Sequence, residues 1–291
     1  MTERHQGAPD GHERTGTPGE SDEPRGSDEP DGKHAPDGTG GKGAPDGNDG
    51  KHAQDGTGGK RAPDGNDGKP APDGTGGRDA LRRAWGELVS TARRTVADGL
   101  VVGTSGNVSV RVGDTVLVTP TGVPYDRLTH DAITGVDLDG RQVLGSLRPT
   151  SELPLHLAVY RATEARAVVH THAPHATAVS LLVPELPLVH YMAAALGGPV
   201  RVAPYAAYGT PELAEHTLRA LSGRSACLLR NHGTIAHGAS LDQAYDRTAQ
   251  LEWMCRVWLL SSSVPGLTPA LLSPAQLEEA GERLRGYGQQ G

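Results

Sequence analysis

Ala167-Val168-Val169-His170-Thr171-His172-Ala173-Pro174 is the stretch on which the reading of this chain turns. Two β-branched residues lead into His-Thr-His and Pro174 closes the run, a pattern that predicts a short buried strand ending at a turn. Side chains alternate across a strand, so His170 and His172 leave from the same face. Two imidazoles on one face can both reach a single Zn²⁺ at about 2.0–2.1 Å, or they can simply hydrogen-bond in a half-buried setting. Asn231-His232-Gly233 offers a third donor at a predicted strand end, where Gly233 permits a tight turn. Three neutral nitrogens with an open position describe a catalytic zinc site, because structural zinc is closed by four protein ligands and usually includes Cys.

This strand belongs to the second of two compositional regions. Residues 1–78 of the 291 carry almost no large aliphatic side chains and hold 10 basic and 16 acidic groups. From Ala35 they repeat every nine residues, beginning APDGTGGKG and APDGNDGKH. Calcium-binding β-rolls share that period but need an aliphatic residue per turn, and here only Ala is present. The repeats read as a disordered acidic Gly/Pro/Asp-rich tail, and its His5, His12, His34 and His52 receive no role. Residues 79–291 hold 18 basic and 19 acidic groups, so this part makes no electrostatic case for nucleic acid. It is long enough for one large α/β domain.

Only two cysteines occur, which suggests no disulfide framework. There is no apolar run of about 20 residues to span a bilayer and the N-terminus has no signal-like core, so a cytoplasmic protein is expected. All five lysines (Lys33, Lys42, Lys51, Lys60, Lys69) fall in the tail. Schiff-base chemistry is thereby excluded for the domain, and carbonyl activation must come from a metal or from hydrogen bonds.

In chain order, Leu81, Trp85, Leu88, Ala92 and Val96 recur at helical spacing, with Asp79 as a possible cap and Gly99 at the C-terminal end. Val108–Val112 and Thr115–Thr119, joined by Gly113-Asp114, predict a hairpin. Further strands are expected at Ile133–Leu138, Leu186–His190, Val200–Ala203 and Cys227–Arg230. Helices are expected after Ser151, as N-cap, and over 174–182, 210–221, 242–260 and 274–285. Short strands interleaved with helices predict α/β layers, and the early hairpin favours a mixed, largely antiparallel sheet flanked by helices.

Glu152 opens the helix after Ser151, either as an ordinary first-turn acid or as a general base held near the metal. The loops Thr104–Asn107, Thr121-Gly122 and Thr150-Ser151 offer N–H and hydroxyl donors without bulk, which suits a phosphate. His130, His156, His216 and His237 read as exposed or helix-surface residues. His175 starts a helix and is expected to point away, whereas His190 is harder to set aside because it precedes Tyr191.

Thr-Ser-Gly-Asn-Val-Ser-Val-Arg (104–111), Val-Thr-Pro-Thr-Gly-Val-Pro-Tyr (118–125), Thr-Ser-Glu (150–152), Val-Val-His-Thr-His (168–172), Val-His-Tyr-Met (189–192), Pro-Tyr-Ala-Ala-Tyr-Gly-Thr (204–210) and Asn-His-Gly-Thr-Ile-Ala (231–236) follow one another in this order. Together they resemble the zinc-dependent class II sugar-phosphate aldolases, the fuculose-phosphate branch above all, from Asp79 to about Tyr287. The resemblance implies a fold shared with the adducin head and one Zn²⁺ per subunit on His170, His172 and His232. It implies Glu152 as acid/base, with Gly106, Asn107, Thr121, Gly122, Thr150 and Ser151 holding the substrate phosphate. Tyr191 would serve a neighbouring subunit's site as proton donor, which implies a C4 homotetramer, and Tyr287 would help close the site. The implied reaction is reversible cleavage of a 2-ketose 1-phosphate to dihydroxyacetone phosphate and an aldehyde.

Thr150 stands where Ser is usual, Tyr208 and Leu284 where the family has Phe at the aldehyde pocket, and Asn231 where a second His is usual. On the same scaffold lie 5-deoxy-pentulose-1-phosphate aldolase, methylthioribulose-1-phosphate dehydratase and ribulose-phosphate 4-epimerase. A non-catalytic adducin-head-like binding module would be expected to lack the metal ligands, which are retained here.

Overall fold

Short runs of alternating apolar residues assemble one eight-stranded sheet. The structure, a computed structural model, describes residues 75–286. The expected repeat tail lies outside these residues except for Thr75–Arg78, and so does Tyr287. The strands are β1 (Asn107–Val112), β2 (Thr115–Val118), β3 (Gly135–Asp137), β4 (Gln142–Leu144), β5 (Ala167–Thr171), β6 (Val202–Ala203), β7 (Ala226–Leu229) and β8 (Gly233–Gly238). They lie in the order β4-β3-β2-β1-β5-β8-β7-β6. Every pairing is antiparallel except β6 with β7, so the expected mixed, largely antiparallel sheet is present.

Helices α1 (Thr75–Ala97), α3 (Pro174–Leu182) and α5 (Leu241–Ser262) cover one face, and α2 (Leu153–Ala162) with α4 (Pro211–Leu221) the other. The last helix, α6 (Pro274–Arg285), packs on the 3-10 segment Tyr191–Leu196. The alternation along β5 makes the division concrete. Ala167 and Val169 pack with Trp85 and Leu88 of α1 and Ala244 of α5. Val168 packs with Leu155, Val159 and Tyr160 of α2. By the period of two, His170 follows Val168 onto the α2 side. Among the described residues no helix is long and apolar enough to cross a membrane.

Three sequence expectations need correction. α1 begins at Thr75, a turn earlier than expected, so Asp79 lies inside the helix and cannot cap it. Leu186–His190 is not a strand: Pro184 and Pro187 lack the N–H a ladder needs, and only an isolated bridge, Glu185 with Arg201, forms beside it. Ser151 does not cap α2, since Glu152 takes that position without a side-chain capping bond. Its carboxylate is turned toward the histidines instead. The strand β8 had no counterpart in the sequence reading, and it brings His232 to the site.

β8 can approach β5 closely because of Gly233. A Cβ there would lie 2.0 Å from the Thr171 carbonyl oxygen and 3.1 Å from the His172 Cα. Both neighbours are backbone and cannot swing away. G233A is therefore expected to lower stability by about 1–3 kcal/mol, the scale of an overpacked interior, read as a fall in the urea midpoint. An unchanged midpoint would contradict this close approach.

Candidate metal centre

The β5–β8 register sets Thr171 opposite Thr234, so His172 leaves the end of β5 beside the β7–β8 turn. That turn is tight: Asn231 adopts φ +57°, and the His232 N–H donates to the Leu229 carbonyl at 3.1 Å. Asn tolerates this left-handed conformation better than most side chains. The rings of His170, His172 and His232 form a near-equilateral triangle, with centroids 4.7–4.9 Å apart. Glu152 enters from the first turn of α2, and one donor atom from each of the four residues lies within 4.8 Å of the others.

The hydrogen bonds settle which atoms face inward. His170 Nδ1 lies 2.7 Å from the Thr234 carbonyl and can only donate to it, which leaves the Nε2 lone pair free. That nitrogen is 3.0 Å from His172 Nε2 and 3.0 Å from Glu152 Oε2. Glu152 Oε1 lies 3.2 Å from His232 Nε2, yet it is buried without a hydrogen bond of good geometry. Lone pairs converging on one buried point, with an orphaned carboxylate oxygen among them, need positive charge at their centre. A proton on His170 can supply it, and so can a divalent cation. The donor set fits a metal held by three imidazoles, and the second bond from His170 Nδ1 is the usual support of such a ligand.

Burial pushes the Glu152 carboxyl up, but the neighbouring His170 and His232 rings outweigh it and hold it below the usual carboxylate range. For His170 burial works downward, and the Glu152 carboxylate overcomes it to raise the pKa. Burial, followed by repulsion from the other two rings, lowers His172 to about 3, so it stays neutral and ready to coordinate.

Three members of this cluster open onto a cleft of about 360 Å³, while His170 is fully buried. Gly106, Asn107, Thr121, Gly122, Thr150 and Ser151, all anticipated as phosphate holders, line it beside Glu152, His172 and His232. The N–H groups of Thr121 and Thr150 are already spent on the carbonyls of Arg148 and Thr119, so those residues offer hydroxyls rather than backbone donors. Gly106, at φ +79°, brings its loop against β5, where a Cβ would meet the His170 carbonyl at 2.8 Å. Tyr205 and Tyr208 form the outer wall. Tyr205 received no separate role in the sequence reading, although Pro-Tyr-Ala-Ala-Tyr pointed at it. Tyr191 does not line the cleft of its own chain; it borders a separate groove with Arg283 and Leu284 of α6.

His156 departs from expectation. It is fully buried rather than on the helix surface, with Nε2 2.5 Å from Asn107 Oδ1 and Nδ1 2.7 Å from Ser109 Oγ. Its helix is covered on several sides, as Leu155, Leu157, Val159 and Tyr160 are buried with it. His175 behaves as expected, its Nδ1 meeting Glu252 at 2.6 Å away from the cluster.

Residues 86–259 match the family described as Class II Aldolase and Adducin N-terminal domain. The chain belongs to the class II aldolase family. It is 41% identical over 204 residues to the L-fuculose phosphate aldolase of Escherichia coli (strain K12), a match covering 69% of this chain and 94% of that protein. The 5-deoxy-D-ribulose 1-phosphate aldolase of Bacillus thuringiensis serovar kurstaki is 35% identical over 207 residues, covering 70% of this chain and 96% of the relative. A solved L-fuculose 1-phosphate aldolase superposes with a TM-score of 0.67 at 32% identity, covering 70% of this chain and 96% of that one. The chain is thus a class II aldolase of the fuculose-phosphate type, a lyase.

The buried His156 has a consequence for acid stability. Burial, chiefly, lowers its pKa to about 3, whereas an unfolded His titrates near about 6.5. Between these values the unfolded chain binds a proton that the native state refuses. The contribution is therefore present above about pH 6.5 and is lost as pH falls, at roughly 1.4 kcal/mol per unit. In chelator-treated protein, H156Q is expected to reduce the slope of unfolding free energy against pH by about one proton between pH 6 and 4. An unchanged slope would contradict a neutral buried His156.

Proposed function

We propose that this chain is a zinc-dependent aldolase that reversibly cleaves L-fuculose 1-phosphate, or a related deoxy-ketose 1-phosphate, into dihydroxyacetone phosphate and an aldehyde. The observation carrying the proposal is the buried Glu152 carboxylate against three converging imidazoles, at the floor of a cleft walled by small-residue loops. His170, His172 and His232 would hold one Zn²⁺ per subunit. When bound, zinc supplies a Lewis acid for the ketose oxygen, drawing off the electron density released as C3–C4 breaks.

The remaining work falls to the chain's own side chains. The hydroxyls of Thr121, Thr150 and Ser151, with the loops at Gly106 and Gly122, hold the phosphate and so fix the ketose end over the cluster; Asn107 lines the same cleft, but its amide is taken by Glu152 and His156. Glu152, ionised in its resting state, takes up a proton from water and delivers it to C3 of the three-carbon fragment. The C4 hydroxyl proton leaves as the aldehyde carbonyl forms, passing to water ordered by Tyr191 of a neighbouring subunit, or to the Tyr191 oxygen as that phenol gives its own proton to water. This role requires a homo-oligomer, proposed as a C4 tetramer. In support, Tyr191 lies off its own cleft and is 48% exposed. Tyr287, beyond the described residues, is proposed to help close the site. A cytoplasmic location completes the proposal.

Tyr205 and Tyr208, 62% and 70% exposed, leave room for a different aldehyde. With the 5-deoxy-D-ribulose 1-phosphate aldolase relative, they support a 5-deoxy-pentulose 1-phosphate as the second candidate substrate.

Purified protein with Zn²⁺, incubated separately with the two ketose phosphates, with methylthioribulose 1-phosphate and with ribulose 5-phosphate, tests the assignment through release of dihydroxyacetone phosphate. Release is expected from one or both of the first two, and E152Q should lower kcat by about 10²–10⁴. Dehydrated or epimerised product without dihydroxyacetone phosphate would overturn it.

A further inference from the structure

Behind Glu152, away from the metal ligands, runs an unbroken line of buried polar groups. Glu152 Oε2 accepts from Asn107 Nδ2 at 2.9 Å. Asn107 Oδ1 faces His156 Nε2 at 2.5 Å. His156 Nδ1 faces Ser109 Oγ at 2.7 Å, and Ser109 Oγ lies 2.8 Å from Tyr160 OH. All five residues are at most 5% exposed.

The geometry follows from two periodicities. Glu152 and His156 are four residues apart at the start of α2 and so share a helix face. Asn107 and Ser109 are two apart on β1 and so share a sheet face. Asn107 is directly opposite His170 in the register, which aligns the line with the ligand strand.

The chemistry permits one direction through the line. An ionised carboxylate only accepts, so Asn107 must turn its amide NH₂ to Glu152 and its carbonyl to His156. His156 Nε2 must then carry a proton and donate. Its Nδ1 is left as an acceptor, so Ser109 donates to it, and Tyr160 donates to Ser109 in turn. The opposite tautomer would set a lone pair against Asn107 Oδ1. Flipping the amide to relieve that would set Oδ1 against the carboxylate, and either leaves buried acceptors face to face.

We propose that His156 is a positioning residue for Glu152, holding the Asn107 amide in the one orientation that fixes the carboxylate beside the histidine cluster. This rests on the reading of Glu152 as the acid/base. The carboxylate selects the NH₂ end of Asn107, and the bond His156 donates to Oδ1 holds the amide there against rotation. Ser109 and Tyr160, whose hydroxyls can donate or accept, complete the line around the ring. Loss of the ring should therefore loosen the acid while leaving the three metal ligands in place.

The tests use the full-length zinc-loaded protein. Imidazole ¹⁵N–¹H correlation spectra, with the His156 signal identified by its loss in H156Q, are expected to give a neutral ring protonated at Nε2. A ring protonated at Nδ1 would overturn the proposal, whatever the substrate proves to be. In turnover, H156L is expected to bind zinc at the wild-type ratio and to lose about 10- to 100-fold in kcat, the scale for residues that orient a site through another. KM should move by less than about threefold, since an orienting group acts on the chemical step. H156Q, which keeps an N–H donor, should recover most of that loss. Wild-type kcat in H156L, or a loss seen only in zinc content or KM, would overturn the proposal. If H156L does not fold, S109A carries the turnover test with the same expected direction and the same overturning result. Wild-type protein that releases no dihydroxyacetone phosphate from any ketose phosphate would refute the proposed function instead, with the tautomer still deciding the direction of the line.

Discussion

The pairing register of β5 with its two neighbours is the constraint on which the site depends. Asn107 opposite His170 and Thr171 opposite Thr234 put His170, Asn107 and the β7–β8 turn at one end of the sheet, on the side that carries α2. A slip of one residue would invert every side chain on β5. His170 and His172 would then face α1 and α5, away from Glu152, and Val168 would be exchanged out of its apolar cluster. The cost of burying His170 among the apolar residues on the α1 and α5 side, and of repacking Val168, is what holds the histidines in place. Close approach of backbone at Gly106 and Gly233 lets the two flanking elements come near enough to share a centre.

Charge explains why the centre is a reactive place and not merely a packed one. A buried carboxylate beside three imidazoles is unfavourable unless a proton or a cation is shared among them. The protein provides fixed second partners, with Thr234 holding His170 and Asn107 holding Glu152, so the donor atoms are oriented before anything binds. With no lysine anywhere in residues 79–291, amine chemistry is closed to this domain, and electrophilic help must come from a cation or from hydrogen bonds.

Much of this was legible in the sequence because it follows from local periodicity. His170 and His172 share a face by the period of two, and Pro174 ends the strand as read. The helices over 174–182, 210–221 and 274–285 begin or end at Pro, Thr or Ser punctuation that carries physical meaning. The three histidines, Glu152 and the loop residues converge as anticipated. What was missed depends on tertiary packing. β8, Gly-Thr-Ile-Ala-His-Gly, has too few large residues to show a strand pattern, yet it is buried by pairing on both edges. Pro187 defeated an otherwise strand-like Leu186–His190. His156 looked like a surface residue on a helix, and only the burial of α2 against β1 and β5 reveals that it completes a polar line.

Three imidazoles from distant parts of the chain converge with Glu152 on one buried point, where the proposed function sets a single divalent cation. X-ray absorption at the zinc edge of purified full-length protein measures this directly. A first shell containing about three imidazole nitrogens at about 2.0–2.1 Å is expected. A shell containing sulfur, a shell with fewer than two imidazoles, or protein that takes up no zinc would contradict it.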